Sequence, residues 1–396
     1  MSNEFNGSYG VLVTPFTRNG ESVDFQALHN LLDWQISCGS PGIIMMGTTG
    51  EFLTLSDDER SAVIESTVTH IAGRINVLVG TMNAYTPNAV RYSKQAQDLG
   101  ANGLMVLPPY YYTPTEDEIY NYYKAICEAT SIPIMIYNNP FTSNIDMSAL
   151  FVAKLAKSFE QIRYIKEASM DVARVSDVID ASEGVVKVFA GERVVESFLL
   201  GATGYVNPYA NYIPEASTAI CNLLAAGQID DARTLSKYIN EIDHIIAEGH
   251  PTYGHQCYSK ALAALRGYPV GDVRPPLTTF AGLGEEGVRR INLIEPLIDA
   301  LNLKELSEKE LLIMREELLN EISTVAPTFK EFNFFMSEDF SIIDCYLAPI
   351  LWRLPSLGIN LPLNRHLKPL LDYQAKIFAR QSFQDSLSMI ERDLRS

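Results

Sequence analysis

Short apolar segments alternate with longer amphipathic segments along the first half of the chain. Each apolar segment ends at a Gly, Pro or Thr turn, and helical spacing follows in stretches such as 25–37, 56–71 and 116–129. Strands that are apolar along their whole length are typical of a parallel sheet covered by helices. The predicted strands are 9–16, 42–47, 75–80, 103–108, 133–137, 163–166, 186–190 and 204–206.

Eight strand–helix units within about 210 residues are what a closed (β/α)₈ barrel requires. A doubly wound open sheet is the competing architecture, and it more often carries a glycine-rich phosphate turn after its first strand. The first strand here leads into Val13-Thr14-Pro15-Phe16, which is not such a turn. The pattern therefore favours an α/β fold with a TIM barrel over residues 1–212.

No strand pattern follows residue 212. Residues 213–303 contain the predicted helices 215–226, 229–248, 257–266 and 285–301, which we interpret as a helical extension of the barrel. Residues 304–396 are predicted to form a separate, all-helical segment. One helix start in that segment is marked by Ser341 and Asp344, which have the spacing of a capping box.

The composition, 47% hydrophobic and 20% charged, is that of a globular protein. A formal net charge of −17 argues against nucleic acid or an anionic membrane surface as a partner. No apolar run approaches the roughly 18 residues of a membrane span, and residues 1–10 lack the features of a signal peptide. The five cysteines are scattered without a CxxC pair, which predicts reduced thiols and a cytoplasmic location.

The histidines form no metal-binding pattern. No HExxH motif occurs, and His250 and His255 are at best a loose pair, so we expect these side chains to fill core or surface positions. Neither a Walker loop nor a serine nucleophile elbow is present. The sequence therefore predicts no metal and no other cofactor.

Chemically suggestive residues follow directly after predicted strands, where the side chains of a barrel converge. Gly47-Thr48-Thr49-Gly50-Glu51 can hold a carboxylate with its hydroxyls and backbone N–H groups, or it is an ordinary capped turn. Pro108-Pro109-Tyr110-Tyr111-Tyr112 directs a phenol into a pocket or packs at an interface. Tyr137-Asn138-Asn139-Pro140 offers a phenol for proton transfer or merely ends its strand.

Lys166 is the fourth candidate, because it lies inside a short apolar strand. Burying an ammonium group is costly, so a lysine that points into the barrel favours the neutral amine. A neutral amine condenses with a ketone to an imine, which is an electron sink for bonds one carbon away. The alternative is a lysine at the barrel rim, paired with Glu167. In combination, the four positions suit binding of a 2-oxo acid, imine formation and proton transfer.

The four motifs occur in the order and spacing of one known family. The Thr48-Thr49 turn, the Tyr110-Tyr111 pair, Tyr137-Asn138-Asn139-Pro140 and Ile165-Lys166-Glu167-Ala168 resemble the dihydrodipicolinate synthase / N-acetylneuraminate lyase family. The likeness covers residues 6–303. It implies a TIM barrel with a C-terminal helical extension, a class I aldolase mechanism, and a homo-oligomer, commonly a tetramer of tight dimers.

The resemblance also implies a role for individual side chains. Lys166 becomes the Schiff-base lysine, and Tyr137 becomes the proton-relay phenol near the imine. Thr48 and Thr49 become the hydroxyls that bind the substrate carboxylate and take part in the relay. Tyr111 becomes the tyrosine that the family's synthases pass across the dimer interface into the neighbouring subunit.

Three further residues belong to the substrate pocket under the same resemblance. Gly191 and Val206 match a backbone position and a wall of the pyruvate site. Thr142 stands where true synthases carry an arginine, two positions after the Tyr-Asn-x-Pro motif, that holds the carboxylate of the second substrate. A neutral hydroxyl cannot replace a bidentate guanidinium, so condensation with aspartate semialdehyde is disfavoured.

The C-terminal segment resembles a different protein. Residues 308–396, especially 340–355, look like the C-terminal helical part of stringent starvation protein A, which has a glutathione-transferase fold and associates with RNA polymerase. The thioredoxin-like half and the first helix of the helical half have no counterpart, which indicates a fusion, natural or engineered. A bundle that lacks one helix is expected to expose an apolar groove for a protein partner.

Three functional hypotheses follow. The first is a Schiff-base lyase of the class I aldolase type that acts on pyruvate or another 2-oxo acid. The second keeps the imine but eliminates water or ammonia, as dehydratases and deaminases of the same family do, and 4-hydroxy-tetrahydrodipicolinate synthase is the disfavoured variant. The third is a non-enzymatic interaction protein that acts through its C-terminal helical segment.

Overall fold

The computed structural model describes residues 4–17, 20–248, 255–301, 308–355 and 358–387 of the 396-residue chain. The chain divides into two compact units, Met1–Asn302 and Leu303–Ser396. Each unit contains its own cluster of buried hydrophobic side chains.

A closed barrel of parallel strands forms the centre of the first unit. Its strands are β1 Gly7–Val11, β2 Gly42–Met45, β3 Asn76–Gly80, β4 Gly103–Val106, β5 Ile134–Asn138, β6 Ile162–Glu167, β7 Lys187–Ala190 and β8 Gly204–Asn207. Each strand pairs with the next one in the sequence, and pairing of β1 with β8 closes the ring. The predicted TIM barrel is confirmed, and the doubly wound open sheet is excluded.

The first strand ends earlier than the apolar pattern predicts. The pattern runs over 9–16, but β1 ends at Val11. Beyond it, the Val13 N–H donates to the Asn211 side chain (2.9 Å) and not to a neighbouring strand. Val13 and Phe16 are nevertheless as buried as the strand itself. An apolar run therefore predicts burial correctly but does not mark where strand pairing stops.

Alternation along the strands decides which side chains enter the barrel. In β5, Met135 and Tyr137 both belong to the cluster inside the barrel, and in β6 Tyr164 does so. Lys166 lies two positions beyond Tyr164 and therefore points to the same interior, at the carboxyl end of its strand. The strand period thus brings the predicted amine and the predicted phenol to one place.

Helices surround the barrel and extend it. They are α1 Phe25–Ser37, α2 Asp57–Ile71, α3 Thr86–Asp98, α4 Glu116–Ala129, α5 Pro140–Ser143, α6 Ala149–Ser158, α7 Ala173–Ala181, α8 Val194–Leu199, α9 Pro214–Ala225, α10 Ile229–Ala247, α11 His255–Leu265 and α12 Gly284–Leu301. The sequence pattern predicts a helix after each strand but gives no bounds for α7 and α8, which are both short. In α7 only Val175 and Val178 are buried, which is too few to reveal a helical period.

The extension formed by α9–α12 is attached to the barrel by both apolar and polar contacts. Its helices share a hydrophobic cluster with Tyr205 and Tyr209, which lie in β8 and just after it. Buried Ser217 of α9 also hydrogen-bonds to Ser8 of β1, with 2.7 Å between the hydroxyl oxygens. The extension is therefore packed as part of the first unit.

The second unit is helical. Its helices are α13 Glu308–Val325, α14 Ile342–Arg353, α15 Lys368–Phe378 and α16 Gln381–Ser386, with a 3₁₀ segment at Ala326–Lys330. The predicted capping box is present at the start of α14, where the Ser341 N–H donates to the Asp344 carboxylate (2.8 Å). That carboxylate also accepts from the Tyr373 hydroxyl (2.7 Å), which ties α14 to α15. Within the described ranges of both units, no helix is long and apolar enough to cross a membrane.

Candidate active site

Lys166 and Tyr137 lie side by side at the carboxyl ends of β6 and β5. The two residues are register partners in these parallel strands. The Lys166 amine lies 4.2 Å from the centre of the Tyr137 ring, and both side chains are at least nine-tenths buried. The ring presents its electron-rich face to the amine, which is a favourable contact for the cationic form. The arrangement places a primary amine and a phenol in one sheltered interior.

The neighbouring carboxylate does not pair with this amine. Glu167 is turned to the other side of β6, where its carboxylate accepts from the Asn138 side chain (3.0 Å) and from the Ser169 N–H (2.8 Å). Burial raises the pKa of Glu167, and these donors oppose the rise. The rim pairing of Lys166 with Glu167 that the sequence left open is therefore not what the structure contains.

The Thr48-Thr49 turn is held by the first two residues of α11. The Thr49 hydroxyl lies 3.3 Å from Nε2 of His255, and the Gln256 side chain donates to the Thr48 carbonyl oxygen (3.3 Å). Thr49 is buried, whereas Thr48 is partly exposed. The extension therefore contacts the turn that was predicted to bind the substrate carboxylate.

Two titratable groups near Lys166 have strongly shifted pKa values. Burial and then the positive field of Lys166 lower the pKa of His255 to about 4, so this imidazole is neutral around pH 7. Burial and then the Asp243 carboxylate raise the pKa of Glu192 to about 7, while Lys166 opposes that rise. Both shifts indicate a site that is poorly solvated, which strengthens every charge interaction within it.

The lowered pKa of His255 makes a prediction about acid stability. Because the folded protein holds the His255 proton more weakly than the unfolded chain, the free energy of unfolding falls as the pH drops from about 6.5 to 4. We expect this histidine to account for about 2–3 kcal/mol of that fall. Urea unfolding of wild type and His255→Gln at pH 7 and pH 4.5 measures it.

In that comparison, His255→Gln should lose less stability on acidification than the wild type. His244→Gln is the matched control, because His244 lies on the exposed side of α10. An identical loss of stability on acidification in His255→Gln and wild type would contradict the expected titration.

A buried ion pair lies directly behind the Thr48-Thr49 turn. The Glu51 carboxylate and the Lys260 amine of α11 are 2.7 Å apart, and their side chains are 0% and 2% exposed. Lys260 also donates to the Asp272 carbonyl (2.9 Å), and the Arg274 N–H donates to the second Glu51 oxygen (2.9 Å). Glu51 itself has φ +55°, a left-handed conformation that costs energy for a non-glycine residue. The surrounding contacts therefore hold the turn in a conformation that it would not adopt alone.

The other predicted pocket residues divide into two groups. Gly191 and Val206 are buried, and a Cβ at Gly191 would lie 2.6 Å from the Cβ of Ala168, so only glycine fits there. Tyr111 is 82% exposed and has φ +79°. Thr142 is also exposed, and its hydroxyl donates to the Asn139 carbonyl oxygen (3.3 Å). Within the described residues, no hydrogen bond joins Tyr111 or Thr142 to the side chains of Lys166 and Tyr137.

Sequence reasoning missed three residues around the site. His255 and Gln256 are more than 200 residues from the turn that they contact, and no spacing in the sequence could reveal that. Asn139 was recognised only as part of a motif, yet its side chain donates to the Tyr137 phenol oxygen (2.8 Å). The one feature of the sequence that could have indicated this contact is the position of the amide, two residues after a tyrosine at the end of a strand.

Metal ligands are not clustered near the site. Among the described residues, no group of three or more His, Cys, Asp or Glu side chains could hold a metal ion. His250, one member of the loose pair considered from the sequence, lies outside the described residues.

Comparisons with known proteins match the first unit. The Dihydrodipicolinate synthetase family matches residues 4–291. A 4-hydroxy-tetrahydrodipicolinate synthase of Syntrophus aciditrophicus is 35% identical over 290 residues, which is 72% of this chain and 97% of that relative. The dihydrodipicolinate synthase structure from Acinetobacter baumannii, complexed with pyruvate, has a TM-score of 0.69 at 32% identity and covers 75% of this chain and 99% of its own.

A second solved structure is similar to a comparable extent. YagE, a prophage protein of E. coli K12 crystallised with pyruvate, has a TM-score of 0.69 at 27% identity and covers 74% of this chain and 98% of its own. The family match ends at residue 291, before the second unit begins.

Proposed function

The chain belongs to the dihydrodipicolinate synthetase family, and from that premise we propose that its first unit is a lyase in which Lys166 forms a Schiff base with pyruvate or another 2-oxo acid. Members of this family are aldolase-type lyases that use a lysine Schiff base. The observation that carries the proposal is the buried Lys166 amine, 4.2 Å from the centre of the Tyr137 ring. No other position in the barrel combines a sequestered amine with an adjacent phenol among the described residues.

The proposed chemistry begins at the keto carbon. In its unprotonated form, the Lys166 amine adds to C2 of the 2-oxo acid, and loss of water leaves the imine. Thr48 and Thr49 hold the C1 carboxylate with the hydroxyls and N–H groups of their turn. The protonated imine accepts the electron pair of a bond to C3, which yields the enamine. Tyr137 carries the proton that moves between the substrate and solvent or a second relay group.

The neutral group at Thr142 bears on the choice of substrate. The synthases of this family hold a second carboxylate with an arginine, and an exposed threonine hydroxyl supplies neither the charge nor the bidentate geometry. We therefore propose that aspartate semialdehyde is a poor substrate, although curated relatives are named 4-hydroxy-tetrahydrodipicolinate synthase. Cleavage, dehydration and deamination of a 2-oxo acid are the reactions that the remaining groups support.

Borohydride reduction in the presence of pyruvate tests the proposal. A reduced adduct on the intact protein, mapped by peptide mass to Lys166, is the expected result. Product analysis over a panel of 2-oxo acids then separates aldol cleavage from loss of water or ammonia, and an assay with pyruvate and aspartate semialdehyde tests the synthase reaction. If pyruvate produced no adduct, the Schiff-base lyase would be rejected.

A homodimer is part of the same proposal. Tyr111 is 82% exposed and does not reach the site of its own chain, and the adjacent Tyr112 is 72% exposed. Large exposed aromatic side chains are favoured at protein interfaces. We propose that Tyr111 enters the site of a second copy and joins its proton relay, as the resemblance to the family's synthases implies.

For the second unit, we propose a glutathione-transferase-like helical module that binds a protein partner. Its support is a row of exposed apolar side chains one turn apart on α14, with Ile342 and Tyr346 each 71% exposed and Ile350 52% exposed. Monomeric proteins seldom leave such a face uncovered. This role is separate from the chemistry of the barrel.

Truncation tests that separation. A chain that ends at residue 302 retains the length of the relatives that the first unit matches, since 97% of one relative is covered. We expect its rate of 2-oxo acid turnover to stay within about twofold of the full chain, because a domain with its own core functions alone. Steady-state kinetics and pyruvate trapping on both chains measure it, and loss of turnover on truncation would contradict the separation.

A further inference from the structure

His255 contacts the Thr48-Thr49 turn at a hydroxyl group that makes no other hydrogen bond. Its Nε2 atom lies 3.3 Å from the Thr49 hydroxyl oxygen. Thr49 is only 5% exposed, so water does not compete freely for this contact. Among the described residues, the Thr49 hydroxyl has no second hydrogen-bond partner. The direction of its single proton therefore depends on the imidazole.

A neutral imidazole offers this hydroxyl two arrangements. Burial and then the positive field of Lys166 lower the pKa of His255 to about 4, so the ring carries one proton around pH 7. If Nε2 is unprotonated, it accepts the Thr49 proton, and the hydroxyl presents only lone pairs to its other neighbours. If Nε2 carries the proton, it donates to the Thr49 oxygen, and the hydroxyl proton is free to be donated elsewhere.

Only the second arrangement suits an anion at the turn. A carboxylate has acceptors and no donors, so it is bound by a hydroxyl that donates to it and repelled by one that presents lone pairs. The ion pair next to the turn does not supply this donor, because Lys260 is paired with Glu51 at 2.7 Å. The state of His255 therefore decides whether the Thr49 hydroxyl attracts or repels a carboxylate.

We propose that His255 is a positioning residue that donates its Nε2–H to Thr49 and thereby directs the Thr49 hydroxyl proton to the substrate carboxylate. This inference rests on the proposed function, in which the Thr48-Thr49 turn holds that carboxylate and Lys166 forms the Schiff base. Because His255 acts through Thr49, its removal weakens recognition of the carboxylate and leaves the reaction at the keto carbon unchanged. The helical extension thus contributes to the choice of substrate.

Pyruvate and pyruvamide test the inference, because they differ in whether a carboxylate or a neutral amide is attached to the keto carbon. The concentration that half-labels the full chain in a short borohydride pulse is measured for each compound. We expect His255→Leu, which has no donor, to need about tenfold more pyruvate than the wild type, the effect of one hydrogen bond to a charged group. The value for pyruvamide should change by less than about twofold, because an amide both donates and accepts.

Three further variants show whether the effect passes through Thr49. His255→Gln keeps a side-chain N–H and should stay within about threefold of the wild type for pyruvate. Thr49→Val alone should weaken labelling by pyruvate, and adding His255→Leu to it should weaken labelling no further, because the two residues act as one unit. His244→Leu, on the exposed side of α10, is the matched control and should behave as the wild type with both compounds.

The outcomes separate two failures. Unchanged labelling by pyruvate in His255→Leu, an equal loss with both compounds, or a further loss in the double variant overturns the role of His255 and leaves the Schiff-base lyase standing. Absence of a pyruvate adduct in the wild type overturns the lyase and the positioning role together. Should His255→Leu not fold, as judged by circular dichroism, His255→Phe keeps a planar ring without a donor and takes its place.

Discussion

Replacing Lys166 with alanine should abolish the borohydride-trapped keto acid adduct and lower turnover by about 10⁴-fold or more, because the covalent route is lost entirely. No neighbouring amine can take over among the described residues. The amine of Lys260 is committed to Glu51 at 2.7 Å and to a backbone carbonyl. Intact-protein mass after reduction and steady-state rates with 2-oxo acids measure the two losses.

Two further variants make this result specific. Lys166→Arg keeps a positive charge beside Tyr137 but cannot form the imine, so it should be as inactive as Lys166→Ala. Lys157→Ala removes a surface lysine that pairs with Glu183, and it should keep both adduct and turnover. An undiminished adduct in Lys166→Ala would show that another amine carries the chemistry.

Replacing Lys260 with methionine should destabilise the first unit by about 3–5 kcal/mol, the cost of leaving one member of a buried ion pair uncompensated. Glu51 is 0% exposed, so water cannot stabilise its charge after the change. Urea unfolding at pH 7 measures the loss. Because Glu51 follows the Thr48-Thr49 turn directly, weaker binding of the substrate carboxylate should accompany it.

Two further variants show whether the loss of stability in Lys260→Met comes from the buried, unpaired charge of Glu51. The double variant Lys260→Met with Glu51→Leu leaves no buried charge and should recover most of the lost stability. Lys368→Met in the second unit breaks a pair with Asp372 that is about two-thirds exposed on both sides, and it should cost less than about 0.5 kcal/mol. Equal losses in Lys260→Met and Lys368→Met would contradict a dominant role of burial.

The sequence predicted the barrel because its strands are apolar on both faces, and it predicted Lys166 and Tyr137 because both interrupt that pattern at strand ends. The strand period then turns both side chains inward without any further information. Strand ends were less predictable, as Val13 and Phe16 illustrate, because burial continues beyond strand pairing.

The remaining parts of the site depend on contacts between distant segments. His255, Gln256 and Lys260 reach the Thr48-Thr49-Gly50-Glu51 turn from α11, about 200 residues later in the chain. The spacing of apolar residues indicates which face of a helix is buried, but it does not indicate which distant turn of the chain that face contacts. The role of Asn139 was hidden for a different reason, since only atomic geometry distinguishes an amide that donates to a phenol from one that merely ends a strand.

The contacts between the start of α11 and the Thr48-Thr49 turn restrict where this chain can be recombined with a related barrel enzyme. A chimera that takes the eight strand–helix units from this chain and its final helices from another relative would keep Thr48 and Thr49 but exchange the imidazole and amide that brace them. We expect such a hybrid to fold around an intact barrel but to hold less firmly the Thr48-Thr49 turn, which we propose binds the substrate carboxylate. The two parent sequences should therefore be joined after Leu265, where α11 ends, so that the turn and the residues that contact it come from the same parent. Joining them between β8 and α9 would separate these residues.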